Sequence, residues 1–364
     1  MSTPLLLHVF ATFAVGGAQV RFAALANRFG REFRHAIVAM DGNTACRERL
    51  DPGLDVAFPA VEVRKGDTLG NRRRFRAVLA ALRPDALVTS NWGSIEWAMA
   101  NTPGLVRHLH VEDGFGPEER DRQLPRRVWT RRLLLRRATV AVPSQVLFRL
   151  ATEVWRLPRR HVHYVPNGVD LARFAVPRHA NDVPVIGTVA ALRPEKNLAR
   201  LLRAFAAVRA QHPCRLVIAG GGPEREGLEA LAAALGVAQD VTFPGHVADT
   251  PALYAGFDVF ALSSDTEQMP LSVLEAMAAG LPVAATNVGD VRAMLAPENG
   301  AEVVAQEGAA LSAALAGLLA DPARRALLGD ANRRRAEAVF DQEAMFAAWH
   351  ALFRFAPPHQ ARAA

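Results

Sequence analysis

The sequence predicts an α/β protein of two doubly wound domains, and three observations carry that prediction. Short apolar runs alternate with longer stretches of helical period, the pattern of parallel strands joined by crossover helices. The alternation occurs twice, before and after a stretch (residues 165–170, then 175–183) that carries Pro, Asn, His and Asp but little apolar periodicity. At 364 residues, half of them hydrophobic, the chain is also long for a single core.

In the first half, residues 5–11, 35–39, 86–89, 105–110 and 140–143 read as strands, with helices such as 20–29 and 72–82 between them. Residues 5–15 are apolar enough to resemble a secretory signal. No Lys or Arg precedes them, however, and they run straight into Gly16-Gly17-Ala18-Gln19, so the segment is read as a buried first strand. In the second half, residues 184–190, 215–219, 241–243, 259–262 and 282–285 are expected strands, and 198–210, 226–235, 271–279 and 309–319 expected helices.

The expected domains are 1–170 and 171–340, with the segment 341–364 packing back on the first; residues 357–364 have the composition of a loose tail. Two such domains would form a cleft between the carboxyl ends of their sheets, where ligands of such folds bind. No run approaches the roughly 20 apolar residues of a membrane span.

Lys and Arg number 43 against 36 Asp and Glu, a net charge of +7, and nearly all of the positive charge is Arg. An acidic partner is implied: a phosphate-bearing ligand, an anionic membrane surface or nucleic acid. Cys46 and Cys214 stand far apart with no metal-ligand spacing, which suits a reduced compartment and implies neither a disulfide framework nor a zinc site.

The segment with the most chemistry is residues 263–283. A strand ends near Leu262, a loop carries Glu267, Pro270 stands where a first-turn proline starts a helix, and Gly280 stops that helix. Glu267 on the loop and Glu275 inside the helix are two carboxylates of different environment. A carboxylate accepts two hydrogen bonds side by side, which fits paired sugar hydroxyls. The helix N-terminus at Leu271 lies between them and offers backbone N–H groups to phosphate. Diol, phosphate and diol together describe a nucleotide sugar.

This segment resembles the Glu, seven residues, Glu motif of the retaining glycosyltransferases of family four, which have the GT-B fold of two Rossmann-like domains. Their commoner form reads Glu-Gly-Phe-Pro-Leu; here Gln268 and Met269 replace Gly and Phe. The resemblance implies that Glu267 contacts the donor sugar, as a catalytic residue, and Glu275 the nucleotide ribose.

A second loop, residues 189–197, places Arg193 and Lys196 before the helix expected from Leu198. A planar fork and a point charge three residues apart suit a diphosphate. The loop is similar to the family's Gly-Arg-Leu-x-Pro-Glu-Lys loop, with Ala191 at the usual Arg position and Arg193 as its replacement. The resemblance extends to Gly16 and Gly17 for close backbone approach to the donor phosphate, to the turn at Gly220–Gly222, read as structural, and to Val247 as a main-chain contact of the nucleobase. His110, at the end of the fourth strand, matches the family histidine that points at the transferred sugar, and Glu112 and Asp113 are candidates for steering the acceptor.

Two arginine runs lie in the first half, within residues 72–76 and 126–137; the second reads as a basic helix with Trp and Leu on it, a candidate for an anionic membrane surface. Nucleic acid is disfavoured, because no recognition motif accompanies the charge. Neither glycine cluster continues into the Gly-x-Gly-x-x-Gly spacing of a dinucleotide-dependent dehydrogenase. The rivals are a nucleotide-sugar epimerase of the same fold and a non-catalytic nucleotide- or sugar-binding protein.

The resemblance thus implies a hexosyltransferase-type enzyme using a UDP- or GDP-sugar and a hydroxyl acceptor, a glycan or lipid-linked intermediate of cell-surface polysaccharide or lipopolysaccharide. It would act with retention, without metal or other cofactor, in the cytoplasm or peripherally at the inner face of the cell membrane.

Overall fold

The computed structural model of the protein describes residues 3–119 and 122–355; the tail read as loose, residues 357–364, lies outside them. The chain divides into two compact units, one running to Pro166 and resuming at Glu343, the other Asn167–Gln342.

The first unit holds seven strands: β1 (Leu5–Phe10), β2 (Arg34–Ala39), β3 (Val56–Ala57), β4 (Ala86–Ser90), β5 (Arg107–Val111), β6 (Thr139–Val142) and β7 (Val162–Tyr164). They pair in the order β3-β2-β1-β4-β5-β6-β7, parallel throughout. The side-chain period of two decides what each face of β1 does. Leu7 and Val9 pack with Phe75, Leu79 and Trp97, whereas Leu6 faces Phe29, Phe33 and the helix Gln342–Phe353. That helix therefore completes the first unit, burying Phe346, Trp349 and Phe353 there.

The second unit holds β8 (Val185–Val189), β9 (Arg215–Ala219), β10 (Val241–Gly245), β11 (Val259–Leu262), β12 (Val283–Thr286) and β13 (Val303–Val304). The order is β10-β9-β8-β11-β12-β13, again parallel. Apolar clusters cover both faces, one around the helix Leu271–Ala278 and the other around the helices Leu198–Arg209 and Gly308–Ala320.

Residues 167–170, assigned to the first domain from sequence, belong to the second unit. Asn167 donates from Nδ2 to the Met269 carbonyl at 3.0 Å, and the Val169 amide donates to Phe340 O at 2.9 Å. The edge strands β3, β7 and β13 were not expected, since two or three residues are too few to show a period. The helix Pro322–Val339, capped by the Asp321 carboxylate accepting from the Arg324 amide, is a further addition.

Candidate active site

In each unit the chain order reverses beside the first strand: β1 next to β4 in one, β8 next to β11 in the other. Ligands of open parallel sheets bind outside the strand ends at such a point. In the second unit the loops leaving β8 and β11 carry Lys196 and Glu267. Pairing of Ile186 with Val259 and Gly187 with Phe260 sets those two loops side by side.

The loop after β8 closes as a short turn over Pro194–Lys196, and Asn197, left-handed at φ 42°, caps the helix Leu198–Arg209 by accepting from the Arg200 amide. The loop after β11 is stitched to it. Asp265 N donates to Glu195 O at 2.9 Å, and Ser263 Oγ donates to Lys196 O at 3.0 Å. Arg200 donates to Ser263 O at 2.8 Å and to Asp265 Oδ1 at 2.7 Å. This lattice fixes the two functional side chains. Lys196 Nζ lies 2.5 Å from Glu267 Oε1, which also accepts from Ser264 Oγ at 2.7 Å. Both ends keep access to solvent, with side-chain exposures of 23% for Lys196 and 10% for Glu267.

A glycine underlies each loop. A Cβ on Gly289, at φ +52°, would stand 2.3 Å from Glu267 O, so only glycine lets the chain after β12 support the Glu267 loop. A Cβ on Gly220, at φ +145°, would stand 1.8 Å from Ala190 O. The Gly220–Gly222 turn is thus structural, as read from sequence: its neighbour Gly221 O accepts from Leu192 N and holds the β8 loop in place.

The helix Leu271–Ala278 begins after Pro270, which occupies the cap position rather than the first turn; its carbonyl accepts from Val273 and Leu274. The first amides of a helix have no partner within it, so those of Leu271 and Ser272 form the positive end beside the Glu267 loop. Where the commoner motif has Gly-Phe, Met269 turns inward and is buried, and its sulfur accepts from the Asn167 amide at 3.2 Å.

Glu275 lies one to two turns into this helix, half-buried, and accepts from the Tyr254 hydroxyl at 2.7 Å. Burial pushes its pKa up; the Tyr254 hydrogen bond and the charge of Arg173 pull the other way. Arg193 stands exposed on the Lys196 loop, without a side-chain partner among the described residues. Val247 is half-buried in the loop after β10. The second unit therefore brings Lys196, Glu267 and the Leu271 end together and sets Glu275 on the same helix. The residues that sequence reading missed here are Ser264, Tyr254 and the Arg200–Asp265 pair. Only Asn197 directly before a helical pattern signalled the cap.

In the first unit, Gly16 caps the helix Gly17–Phe29 at the end of the loop that follows β1, with Gly17 exposed. His110 differs from its sequence role. Its side chain has no exposed surface: Nδ1 lies 2.8 Å from Thr89 Oγ1, and Nε2 faces Glu112 Oε2 at 3.5 Å. Thr89 Oγ1 also meets His108 Nε2 at 2.8 Å, and burial, with His110 close by, lowers the His108 pKa to about 3. Glu112 is buried against Arg131 at 3.1 Å, whereas Asp113, paired with Arg21 at 2.7 Å, keeps some exposure and lines a cavity with Arg21, Ser90 and Trp349.

The helix Pro125–Leu134 splits its arginines between two jobs. Arg131 is wholly buried, paired with Glu112 and Glu119 and enclosed by the rings of Trp92, Phe115 and Trp155. Arg127 is paired with Glu118 and Glu119. In the other run, Arg74 is held by Asp67 and Arg76 by Thr102 O. These four are held by partners within the protein and so leave only part of each run free to meet a surface. Among the described residues, no group of three or more His, Cys, Asp or Glu is placed to hold a metal ion, and no helix is long and apolar enough to cross a membrane.

The chain is similar to known glycosyltransferases along both units. The family model for glycosyl transferases group 1 matches residues 172–335, and that for Glycosyltransferase Family 4 matches residues 15–173. A D-inositol 3-phosphate glycosyltransferase of Salinispora tropica is 31% identical over 284 residues, 69% of this chain and 57% of that protein. A GDP-mannose-dependent alpha-(1-6)-phosphatidylinositol monomannoside mannosyltransferase of Mycolicibacterium smegmatis is 34% identical over 197 residues, 48% of this chain and 52% of that protein. The chain thus spans little more than half the length of these relatives. Among solved structures, HepE of Anabaena in complex with UDP-glucose superposes with a TM-score of 0.81 at 18% identity, covering 96% of this chain and 99% of that one. With both units matched in sequence and the fold matched along nearly the whole chain, the protein belongs to the group 1, family-four glycosyltransferases of GT-B fold.

Proposed function

We propose that the chain transfers a hexose-type sugar from a UDP- or GDP-sugar to a hydroxyl of a glycan or lipid-linked acceptor, with retention and without a metal ion. The observation that carries this reading is the convergence of Lys196, Glu267 and the Leu271 helix end at the switch point of the second unit, with Glu275 eight residues beyond Glu267.

In the proposed reaction the bond between the sugar C1 and the diphosphate oxygen breaks, and the acceptor oxygen bonds to C1 on the same face. The acceptor proton passes to the departing phosphate oxygen, leaving a nucleoside diphosphate. Lys196 and the amides at Leu271 stabilise the charge that grows on the leaving group, and exposed Arg193 adds a second cation. Glu267 accepts from donor-sugar hydroxyls and Glu275 from the ribose. Val247 would meet the base through its main chain, and Gly16 and Gly17 would admit phosphate close to the backbone. Lys196, which pairs with Glu267, would turn to the diphosphate in the proposed complex and leave the carboxylate for the sugar. His110, being buried, is assigned a positioning role through Glu112 and Thr89.

The relatives' names supply the first acceptors to try, D-inositol 3-phosphate and phosphatidylinositol monomannoside. Dependence on nucleotide sugars and a reduced compartment for Cys46 and Cys214 support a cytoplasmic site of action. The test is a product assay with UDP- and GDP-hexoses in EDTA, the anomeric configuration read by NMR. Transfer with the donor's configuration is expected. An inverted product, or a strict divalent requirement, would overturn the corresponding part.

A further inference from the structure

We infer that the β7 edge of the first unit docks on an anionic lipid bilayer, through a surface drawn differently from the arginine runs of the sequence. With Arg127 and Arg131 turned inward, the outer face of the helix Pro125–Leu134 shows Trp129, 64% exposed, and Leu133, 78% exposed, one turn apart. Arg126, Arg136 and Arg137 stand exposed on either side of them in sequence.

Two contacts extend this face beyond the helix. Arg132, whose guanidinium lies 4.6 Å from the centre of the Trp129 ring, donates to Val154 O and Trp155 O at 3.2 Å each. This places exposed Val154 and Arg156 alongside. His161 Nδ1 meets Arg136 O at 2.9 Å, which brings in exposed Arg159 and Arg160. The local acids are committed elsewhere: Glu112 and Glu119 are buried against Arg131, and Glu118 is paired with Arg127. Among the described residues here, Glu118 is exposed but paired, and Glu153 is exposed and unpaired.

An indole and a leucine protruding from a field of guanidinium groups fit a charged bilayer interface. The apolar side chains enter below the head groups while the arginines stay among the phosphates. A binding face for single-stranded nucleic acid would instead offer several aromatic platforms along a basic groove. Leu69 and Arg73, exposed on the helix Thr68–Leu82, show the same pairing of an apolar and a basic side chain.

The inference is independent of the donor reading, because binding can be read without nucleotide or turnover. The experiment is flotation of the full chain with vesicles of phosphatidylcholine alone and of equal phosphatidylcholine and phosphatidylglycerol. Binding to the anionic vesicles only is expected. Arg126→Gln/Arg136→Gln/Arg137→Gln should lower partitioning about a hundredfold, and Trp129→Ser/Leu133→Ser at least about tenfold. Both variants change exposed side chains and should melt as the parent does. Equal binding to both vesicle types, binding unaffected by either variant, retention of RNA but not vesicles, or a dimer abolished by Trp129→Ser would each overturn the proposal.

Discussion

The Lys196 ammonium and the Glu267 carboxylate meet at 2.5 Å across two loops that leave neighbouring strands, and Ser264 donates to the same carboxylate oxygen. Glu267→Gln keeps the shape and removes the charge. Turnover should fall about 100- to 1,000-fold, with nucleotide affinity changed less than about tenfold. Steady-state kinetics beside calorimetric titration would separate the two.

Gly289 provides the control for this geometry. Gly289→Ala places a methyl 2.3 Å from Glu267 O, so the loop must shift, at a cost of about 1–3 kcal/mol. Activity should drop well beyond what the fall in melting temperature accounts for. Unchanged kinetics would show that the loop's position does not matter.

Glu275 gives a pH dependence. Burial raises its pKa, and the Tyr254 hydroxyl holds it down. If the carboxylate receives the ribose diol, nucleotide affinity should fall as pH drops through that raised value. Tyr254→Phe removes a hydrogen bond to the ionised form, so the fall should begin at higher pH. Titrations from pH 5 to 8 for both proteins would show the displacement.

The acid stability of the first unit should rest on its buried histidines. His8 Nε2 and His35 Nδ1 share a hydrogen bond at 3.1 Å, among Phe22, Phe33 and Phe353. Burial lowers the His35 pKa to about 4 and that of His8 well below its usual value. Because the folded pKa lies below the unfolded one, the stabilisation is complete above about pH 6.5 and is lost as pH falls towards 4. For His35 it amounts to about 3 kcal/mol. Melting temperature should decline through that window, and less steeply in His35→Gln.

Arg131 carries a different kind of stability. Arg131→Met leaves Glu112 buried without its cation and Glu119 with Arg127 alone, which should cost about 3–5 kcal/mol. Chemical denaturation would show it; a loss below about 1 kcal/mol would mean that water or Arg127 compensates.

The legibility of the sequence followed the range of the interactions. The central strands and the helix Leu271–Ala278 stood out because their patterns are local, as did the loop positions of Lys196 and Glu267. The strands β3, β7 and β13 did not, since pairing partners rather than composition make them strands. The inward turn of Arg131 was hidden for the same reason: its partners, Glu112 and Glu119, are 19 and 12 residues away. Strand-end position suggested an accessible His110, whereas Thr89, from the neighbouring strand, and the Glu112 side of the site cover it. Tyr254 stayed out of view because nothing local marks a tyrosine that will meet a carboxylate 21 residues on.

The most direct test of a nucleotide-sugar site in the second unit is calorimetric titration of the protein, Lys196→Ala and Glu275→Ala with UDP and GDP. One nucleotide is expected to bind the parent protein, and each variant to weaken that binding about tenfold or more. Binding of neither nucleotide, or equal affinity in all three proteins, would contradict it.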